Sequence, residues 1–327
     1  MIKKSFLSFG MLIAILSIVG CGNQASEDHA ESANTKKNGG GKPQVAVVLK
    51  GSDQEYFKLA EAGAKQAFKD FDVEGKFLAA TKETQEQELI NLLEDLLTNN
   101  PDALVVMPST SAVIPTLSKY HEKDIPVLLI DTDLEWENQL TYIGTDNYTA
   151  GQKAAEHLSS MLSEGDEVAI IEGVSGAAQN EARIAGAKDY FKKHKIKVAS
   201  VQAADFDRTK AVNTMENMIT AHPKVKGVFA ANDEMALGAS QAIQTNKLDI
   251  PIIGIDGTTD GLASIAQGDV TATIEQQPFN MTYLAVENAL KAIKGDPVEK
   301  NINSGIELIT IENAQDKLEK VKQLLGK

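Results

Sequence analysis

The sequence predicts an α/β architecture of two doubly wound, parallel-sheet lobes. Three observations predict it. Short apolar runs of strand length alternate with stretches of helical period from Val45 onward. Those runs lack the apolar–polar alternation of a sheet with one wet face, which points to parallel strands covered on both sides. The alternation also comes in two series, the second starting near Asp146, and a chain of 327 residues has room for both.

In the first series Val45–Leu49 reads as a buried strand. Phe57, Ala60, Ala64, Ala67, Phe68 and Phe71 repeat at helical spacing after it. Ala103–Met107 (strand), Val113–Tyr120 (helix) and Val127–Ile130 (strand) follow. In the second series helix Ala150–Leu162 leads to strand Val168–Ile171, and helix Ala182–Phe191 to strand Val198–Val201. Helix Lys210–Ile219 leads to strand Gly227–Ala230, and helix Met235–Gln244 to strand Ile252–Ile255. Strand Val270–Ile274 precedes a helix entered at Pro278, where proline suits the first turn.

The N-terminus reads as something other than fold. Lys3 and Lys4 precede an apolar run, Phe6 to Val19, of signal-peptide length and short for a membrane span. The order Ile18-Val19-Gly20-Cys21 resembles a bacterial lipobox, which implies a lipoprotein signal peptide over 1–20, cleavage before Cys21 and a lipid on its thiol. Residues 21–43 are small and polar, with Gly39-Gly40-Gly41, and read as a flexible tether. Cys21 is the only cysteine, so no internal disulfide exists and the core must hold the fold unaided.

Composition excludes some classes. A formal net charge of -14 argues against a nucleic-acid partner. The five histidines, His29, His121, His157, His194 and His222, show no metal spacing, and neither a G-x-S-x-G elbow, a P-loop nor a calcium-loop pattern is present. No cofactor or metal is expected.

Ligands of open α/β sheets sit beyond the carboxyl ends of the strands. Polar residues cluster there: Asp131, Asn232-Asp233, Asp256 and Gln276. Each has a plain alternative as a helix cap. Planar side chains with paired donors and acceptors suit a polyhydroxylated ring, and aromatic rings suit its C–H faces. Tyr56, Phe57, Trp136 and Phe206 are the aromatic candidates; Tyr56 and Phe57 also read as core residues opening a helix, and Trp136 as cover for a lobe edge.

Ala204-Asp205-Phe206-Asp207-Arg208, Thr220-Ala221-His222-Pro223, the run Val228 to Ala239, Asp256-Gly257-Thr258 and Ala272-Thr273-Ile274 with Gln276 and Pro278 closely resemble the ribose-binding protein family, within the type I periplasmic binding proteins. The resemblance runs from about Val45 almost to the C-terminus. It implies two lobes joined by three crossings, near Thr145-Asp146, Gln276-Gln277 and Gly305. Lobe one would then hold 44–145 plus 277–305, and lobe two 146–276 plus 306–327. It also implies a ligand set of Gln54, Tyr56, Phe57, Asp131, Thr132, Arg183, Phe206, Asn232, Asp256 and Gln276 around one monosaccharide. The implied role is that of a non-enzymatic, monomeric binding protein, anchored in the membrane by lipid and facing outward, that serves the permease of an ABC importer; presenting the sugar to a chemoreceptor or sensor kinase is the alternative. A transcription regulator of this fold would need an N-terminal DNA-binding helix pair, and a glycosidase would need Asp131 and Asp256 as its paired carboxylates.

Two positions depart from the ribose binders. Thr132 stands where they carry arginine, which removes up to five donors, and Gln54-Glu55-Tyr56-Phe57 replaces Asn-Pro-Phe-Phe. The changed donor set points to another pentose, a hexose, a polyol or a furanosyl signal. Asp133 or Trp136 is expected to take over the missing contact.

Overall fold

The computed structural model describes residues 41–327, of which Lys42–Lys327 form one compact unit. The expected signal peptide 1–20, the lipid-bearing Cys21 and the tether as far as residue 40 lie outside the described residues.

The chain first builds β1 (Gln44–Leu49), α1 (Glu55–Asp70), β2 (Glu74–Ala79), α2 (Glu86–Leu97), β3 (Ala103–Met107), α3 (Ile114–His121), β4 (Val127–Ile130) and β5 (Thr141–Gly144). It then builds α4 (Asn147–Ser159), β6 (Glu167–Glu172), α5 (Ala178–Lys193), β7 (Lys197–Ala203), α6 (Arg208–Ala221), β8 (Val225–Ala230), α7 (Asp233–Thr245), β9 (Ile252–Asp256), α8 (Thr259–Gln267) and β10 (Ala272–Glu275). It closes with α9 (Pro278–Lys294), β11 (Asn301–Asn303), β12 (Glu307–Thr310) and α10 (Ala314–Leu324).

Two six-stranded sheets result, ordered β11-β5-β4-β3-β1-β2 and β12-β10-β9-β8-β6-β7. Every ladder is parallel except that of β12 with β10. The chain passes from the first sheet to the second after β5, returns after β10, and passes over again between β11 and β12.

Helices cover both faces of the first sheet, as unbroken apolar strands require. Val45, Val47 and Leu49 of β1 pack with α1 and α9, while Ala46 and Val48 pack with Leu89, Leu93 and Leu96 of α2 and with Leu117 and Tyr120 of α3. The second lobe has one large core over β6, β8, β9 and β10. A smaller apolar cluster joins α8 and α10 to Leu59 of α1, so the two lobes also share an apolar contact.

The doubly wound fold class and the placement of the main strands agree with the reading from sequence. The differences have local causes. Asp146 caps α4, its Oδ1 accepting from Thr149 N at 3.0 Å, so this helix starts and stops earlier than its apolar period suggests. The strand expected at Val270–Ile274 is Ala272–Glu275, because Val270 follows the left-handed cap Gly268 and packs into the α8–α10 cluster instead. Trp136 belongs to the core beneath α3, edge-on to His121 at 6.4 Å.

Candidate functional site

The carboxyl ends of both sheets meet in one buried pocket. Lys50, Gln54, Tyr56, Phe57, Glu83 and Asp131 line it from the first lobe, and Gln179, Arg183, Phe206, Asn232, Asp256 and Gln276 from the second lobe and the crossing behind it. Its walls stand close together and leave only about 20 Å³ of free space, room for about one water. A wider vestibule, rimmed by charges of both lobes, lies outside it and shares Gln54, Glu83 and Phe206.

Nine of the ten candidate positions therefore share one cavity. Thr132 does not line it. That residue is fully buried behind Asp131, its hydroxyl accepting from Lys50 Nζ and lying 3.1 Å from both Asp131 Oδ2 and Gln179 Oε1. Lys50, Glu83 and Gln179 are wall residues that the sequence reading passed over. Lys50 carried the same signal as Asp131, since it directly follows a strand; Glu83 and Gln179 sit in or beside loops without a period.

Local backbone geometry aims these groups. Asp131 (φ 64°), Phe206 (φ 58°) and Asp256 (φ 144°) occupy backbone conformations that side-chain-bearing residues seldom adopt. Such strain persists where the surroundings over-determine it. It turns each residue out of line at the end of its strand or loop. Two glycines make room for the rings: a Cβ at Gly51 would collide with the Phe57 ring, and one at Gly173 with the Phe206 ring. Tyr56 and Phe57 stand edge to face at 5.8 Å.

The first lobe supplies a charged cluster. Lys50 Nζ lies 2.7 Å from Asp131 Oδ2 and 2.9 Å from Glu83 Oε1. Tyr56 donates its hydroxyl to Asp131 Oδ1 at 2.5 Å. Burial works to raise the Asp131 pKa, but the Lys50 charge and its hydrogen bond, with that of Tyr56, outweigh it and hold the carboxyl below its ordinary value. Burial likewise opposes the Lys50 ammonium, and Asp131 and Glu83 outweigh it, so its pKa is raised. Burial, with Asp131 beside it, pushes the Tyr56 phenol well above its usual pKa.

The second lobe is tuned the opposite way. Burial pushes the Asp256 carboxyl well above its ordinary pKa; Arg183 opposes this from 3.8 Å, while the nearby Asp233 and Asp131 charges reinforce it. Arg183 is anchored by its Nε donating to Asn147 Oδ1 at 2.8 Å and Nη1 donating to the Ala231 carbonyl at 2.7 Å. Asn232 does cap a helix, its Oδ1 accepting from Met235 N at 2.9 Å, and it lines the pocket as well, so the two readings of that residue coexist. Gln276 donates Nε2 to Asp256 Oδ1 at 2.8 Å, whereas its buried Oε1 has no hydrogen-bond partner among the described residues.

Neither residue expected to replace the missing arginine reaches the pocket. Asp133 is taken up by Glu135 N and Gln139 Nε2, and Trp136 is core. The cation beside Asp131 is Lys50, from a different strand. Among the described residues no group of three or more His, Cys, Asp or Glu is placed to hold a metal ion.

Hydrogen bonds join the lobes around the cavity. Gln54 Nε2 donates to the Phe206 carbonyl at 3.1 Å, and Gln179 Nε2 to Glu83 Oε1 at 2.8 Å. Glu55 accepts from the backbone and hydroxyl of Thr259, both at 2.6 Å, and pairs with Lys327 Nζ at 3.0 Å. The arrangement is a polar chamber closed on both sides, its walls rich in hydrogen-bonding groups.

Known proteins are similar to this chain in sequence and fold. A family model described as periplasmic binding protein domain matches residues 45–297. The ribose import binding protein RbsB of Bacillus subtilis (strain 168) is 35% identical over 276 residues, covering 84% of this chain and 90% of that protein. The crystal structure of an ABC transporter periplasmic solute binding protein from Actinobacillus succinogenes 130z with bound D-allose superposes with a TM-score of 0.79 at 30% identity, covering 84% of this chain and all of that one (100%). A carbohydrate transporter solute binding protein from Agrobacterium radiobacter in complex with D-arabinose gives a TM-score of 0.79 at 31% identity, covering 87% and 99%.

Two outcomes are expected of the site residues. Gly173→Ala forces the Phe206 ring from its seat and costs about 1–3 kcal/mol in urea unfolding, with part of the loss recovered when Phe206→Leu is added. Asp256 has a raised folded pKa, so its contribution to stability is present below the ordinary carboxylate value and lost as pH rises through the folded one. Asp256→Asn therefore gains stability relative to wild type as pH rises above the ordinary carboxylate range, in ligand-free unfolding at each pH.

Proposed function

The chain belongs to the periplasmic binding protein domain family, and from that premise we propose that it captures one neutral monosaccharide between its lobes and delivers it to an ABC importer. The observation that carries this reading is Gln276 Oε1, a buried acceptor without a partner on the wall of a chamber built from both lobes. A buried acceptor left unpaired costs about 1–3 kcal/mol, and a ligand hydroxyl removes that cost. The fixed charges favour a neutral guest. Lys50 and Arg183 stand against Asp131, Glu83 and Asp256, the last with a raised pKa, so no strong field selects an anion. With only about 20 Å³ free between the walls, the lobes must part to admit a ring, as a hinge mechanism requires. Relatives whose names specify ribose, and structures holding D-allose and D-arabinose, support the same ligand class.

In this mechanism the sugar docks on one lobe while the three crossings flex. Closure brings the acceptors of Asp131 and the donors of Arg183, Asn232 and Gln54 to bear from opposite sides, with Tyr56, Phe57 and Phe206 against the C–H faces. Only contacts that exist in the closed state drive the change. Hydrogen bonds to charged groups contribute about 1.5–3 kcal/mol each, enough in sum for roughly micromolar affinity after the cost of association. The closed monomer then docks on the permease through both lobes. Cys21 carries the lipid that keeps it at the outer face of the membrane, a reading supported by the order Ile18-Val19-Gly20-Cys21.

Thermal unfolding of residues 42–327 against D-ribose, D-allose and D-arabinose tests the ligand class. A sugar at a hundred times its Kd adds about 2.7 kcal/mol and raises Tm by a few degrees; a flat response to pentoses, hexoses and polyols alike overturns the reading. For the anchor, cells fed labelled palmitate give a labelled protein in the detergent phase, and Cys21→Ser loses both the label and that partitioning.

A further inference from the structure

We infer that Lys50 is a positioning residue that makes the Asp131 corner of the first-lobe wall an acceptor-only surface: it spends its own donors on the protein and presents Asp131 to the sugar. The inference rests on the reading that a sugar enters this pocket.

The geometry carries it. Lys50 directly follows β1 and is 3% exposed. An ammonium has three N–H donors. The Lys50 ammonium has three partners within reach: Asp131 Oδ2 at 2.7 Å, Glu83 Oε1 at 2.9 Å and Thr132 Oγ1 at 3.1 Å. None is left for a guest, although the side chain lines the cavity. Lys50 therefore acts through Asp131. Both oxygens of that carboxylate are already fixed, Oδ2 by Lys50 and Oδ1 by Tyr56. Oδ2 also takes the Thr132 hydroxyl, whereas Oδ1 retains an acceptor lone pair, and the left-handed backbone of Asp131 holds the group at the end of its strand. A guanidinium following Asp131 would add donors to this wall; an ammonium saturated by protein partners adds none. Ligand acceptors must then be served from elsewhere in the pocket, by the Arg183 N–H groups not engaged with Asn147 and Ala231, by the Asn232 amide and by the remaining amide N–H of Gln54.

The charged and titratable groups facing Asp131 come from six other elements. They are Lys50 at the end of β1, Tyr56 of α1, Glu83 of the loop before α2, Tyr142 of β5 (its hydroxyl donating to the Asp131 carbonyl at 3.0 Å), and Arg183 and Asp256 across the cavity. Lys50 is the one cation among them in direct contact with the carboxylate.

The test uses the full chain in mild detergent, with Lys50→Met, Asp131→Asn and the double variant. Carbon-13 NMR of labelled aspartate carboxyls, with Asp131 assigned by its loss in Asp131→Asn, follows the titration without any sugar. Lys50→Met is expected to raise the proton affinity of Asp131 by about tenfold or more. Calorimetric titration then uses whichever of D-ribose, D-allose and D-arabinose the wild type binds. Lys50→Met should weaken it by about thirtyfold, but by less than about threefold in the Asp131→Asn background, because a group acting through Asp131 has nothing left to position there. Equal losses in both backgrounds, or an unmoved Asp131 titration, overturn the inference. If the wild type binds no sugar, the sugar reading fails, while the carboxyl titration still decides whether Lys50 positions Asp131. Should Lys50→Met not fold, Lys50→Gln is read in the same two ways.

Discussion

The ion pair between Lys50 and Asp131 is the contact on which the pocket depends. Two charges out of water are costly, and their attraction repays this only when the remaining hydrogen-bonding capacity is also met. Here it is met. Glu83 and Thr132 take the other two ammonium donors, and Tyr56 takes the free carboxylate oxygen. The cluster draws on the ends of β1 and β4, the loop before α2, and α1, so it fixes the relative heights of those elements around the cavity. It also gives the opposite lobe something to bond, because Gln179 donates to Glu83 and faces Thr132.

The two pocket aspartates illustrate how environment divides one residue type into two roles. Asp131 has a cation at hydrogen-bonding distance and stays ionised. Asp256 has its cation at 3.8 Å, a second carboxylate (Asp233) nearby and the same burial, and is pushed toward the protonated form. Asp233 escapes the pocket chemistry altogether. Its carboxylate is consumed by Gly257 N and Thr258 N, both at 2.9 Å, and by Thr273 Oγ1 at 2.6 Å, which shape the loop that follows Asp256. A pocket with an acceptor-only corner at Asp131 and mixed donors and acceptors elsewhere has a direction, and a sugar ring can satisfy it in few orientations.

Much of this was legible in the sequence, for physical reasons. Parallel strands buried on both faces leave unbroken apolar runs, so β1, β3, β4, β6, β8 and β9 were visible, and the rule that ligands sit beyond strand ends then pointed to Asp131, Asn232, Asp256 and Gln276. What escaped notice lacked those signals. β2 is a half-exposed edge strand, β11 has three residues, and α10 is mostly polar. Lys50 follows a strand as Asp131 does, but a lysine is ordinarily solvated, and its burial becomes readable only once Glu83 and Asp131 stand beside it. The missing arginine was sought at neighbouring positions in sequence. The fold instead draws its replacement from another strand, 81 residues away from Asp131.

Gln276 links recognition to motion. It lies at the crossing between β10 and α9, where the chain returns from the second sheet to the first. Its backbone N–H donates to the Asp256 carbonyl at 2.9 Å and its side chain to the Asp256 carboxylate at 2.8 Å, so it moves with the second lobe's sheet. Two residues later Pro278 opens α9, which packs against α1 in the first lobe. In the proposed closure, a hydroxyl held by Gln276 Oε1 sits beside the segment that bends when the lobes separate. A ring that bonds Gln276 and also reaches Asp131 of the first lobe spans both walls, and a contact set of that kind favours the closed arrangement over the open one. Contacts confined to one lobe, that of Gln276 taken alone included, add affinity without shifting that balance.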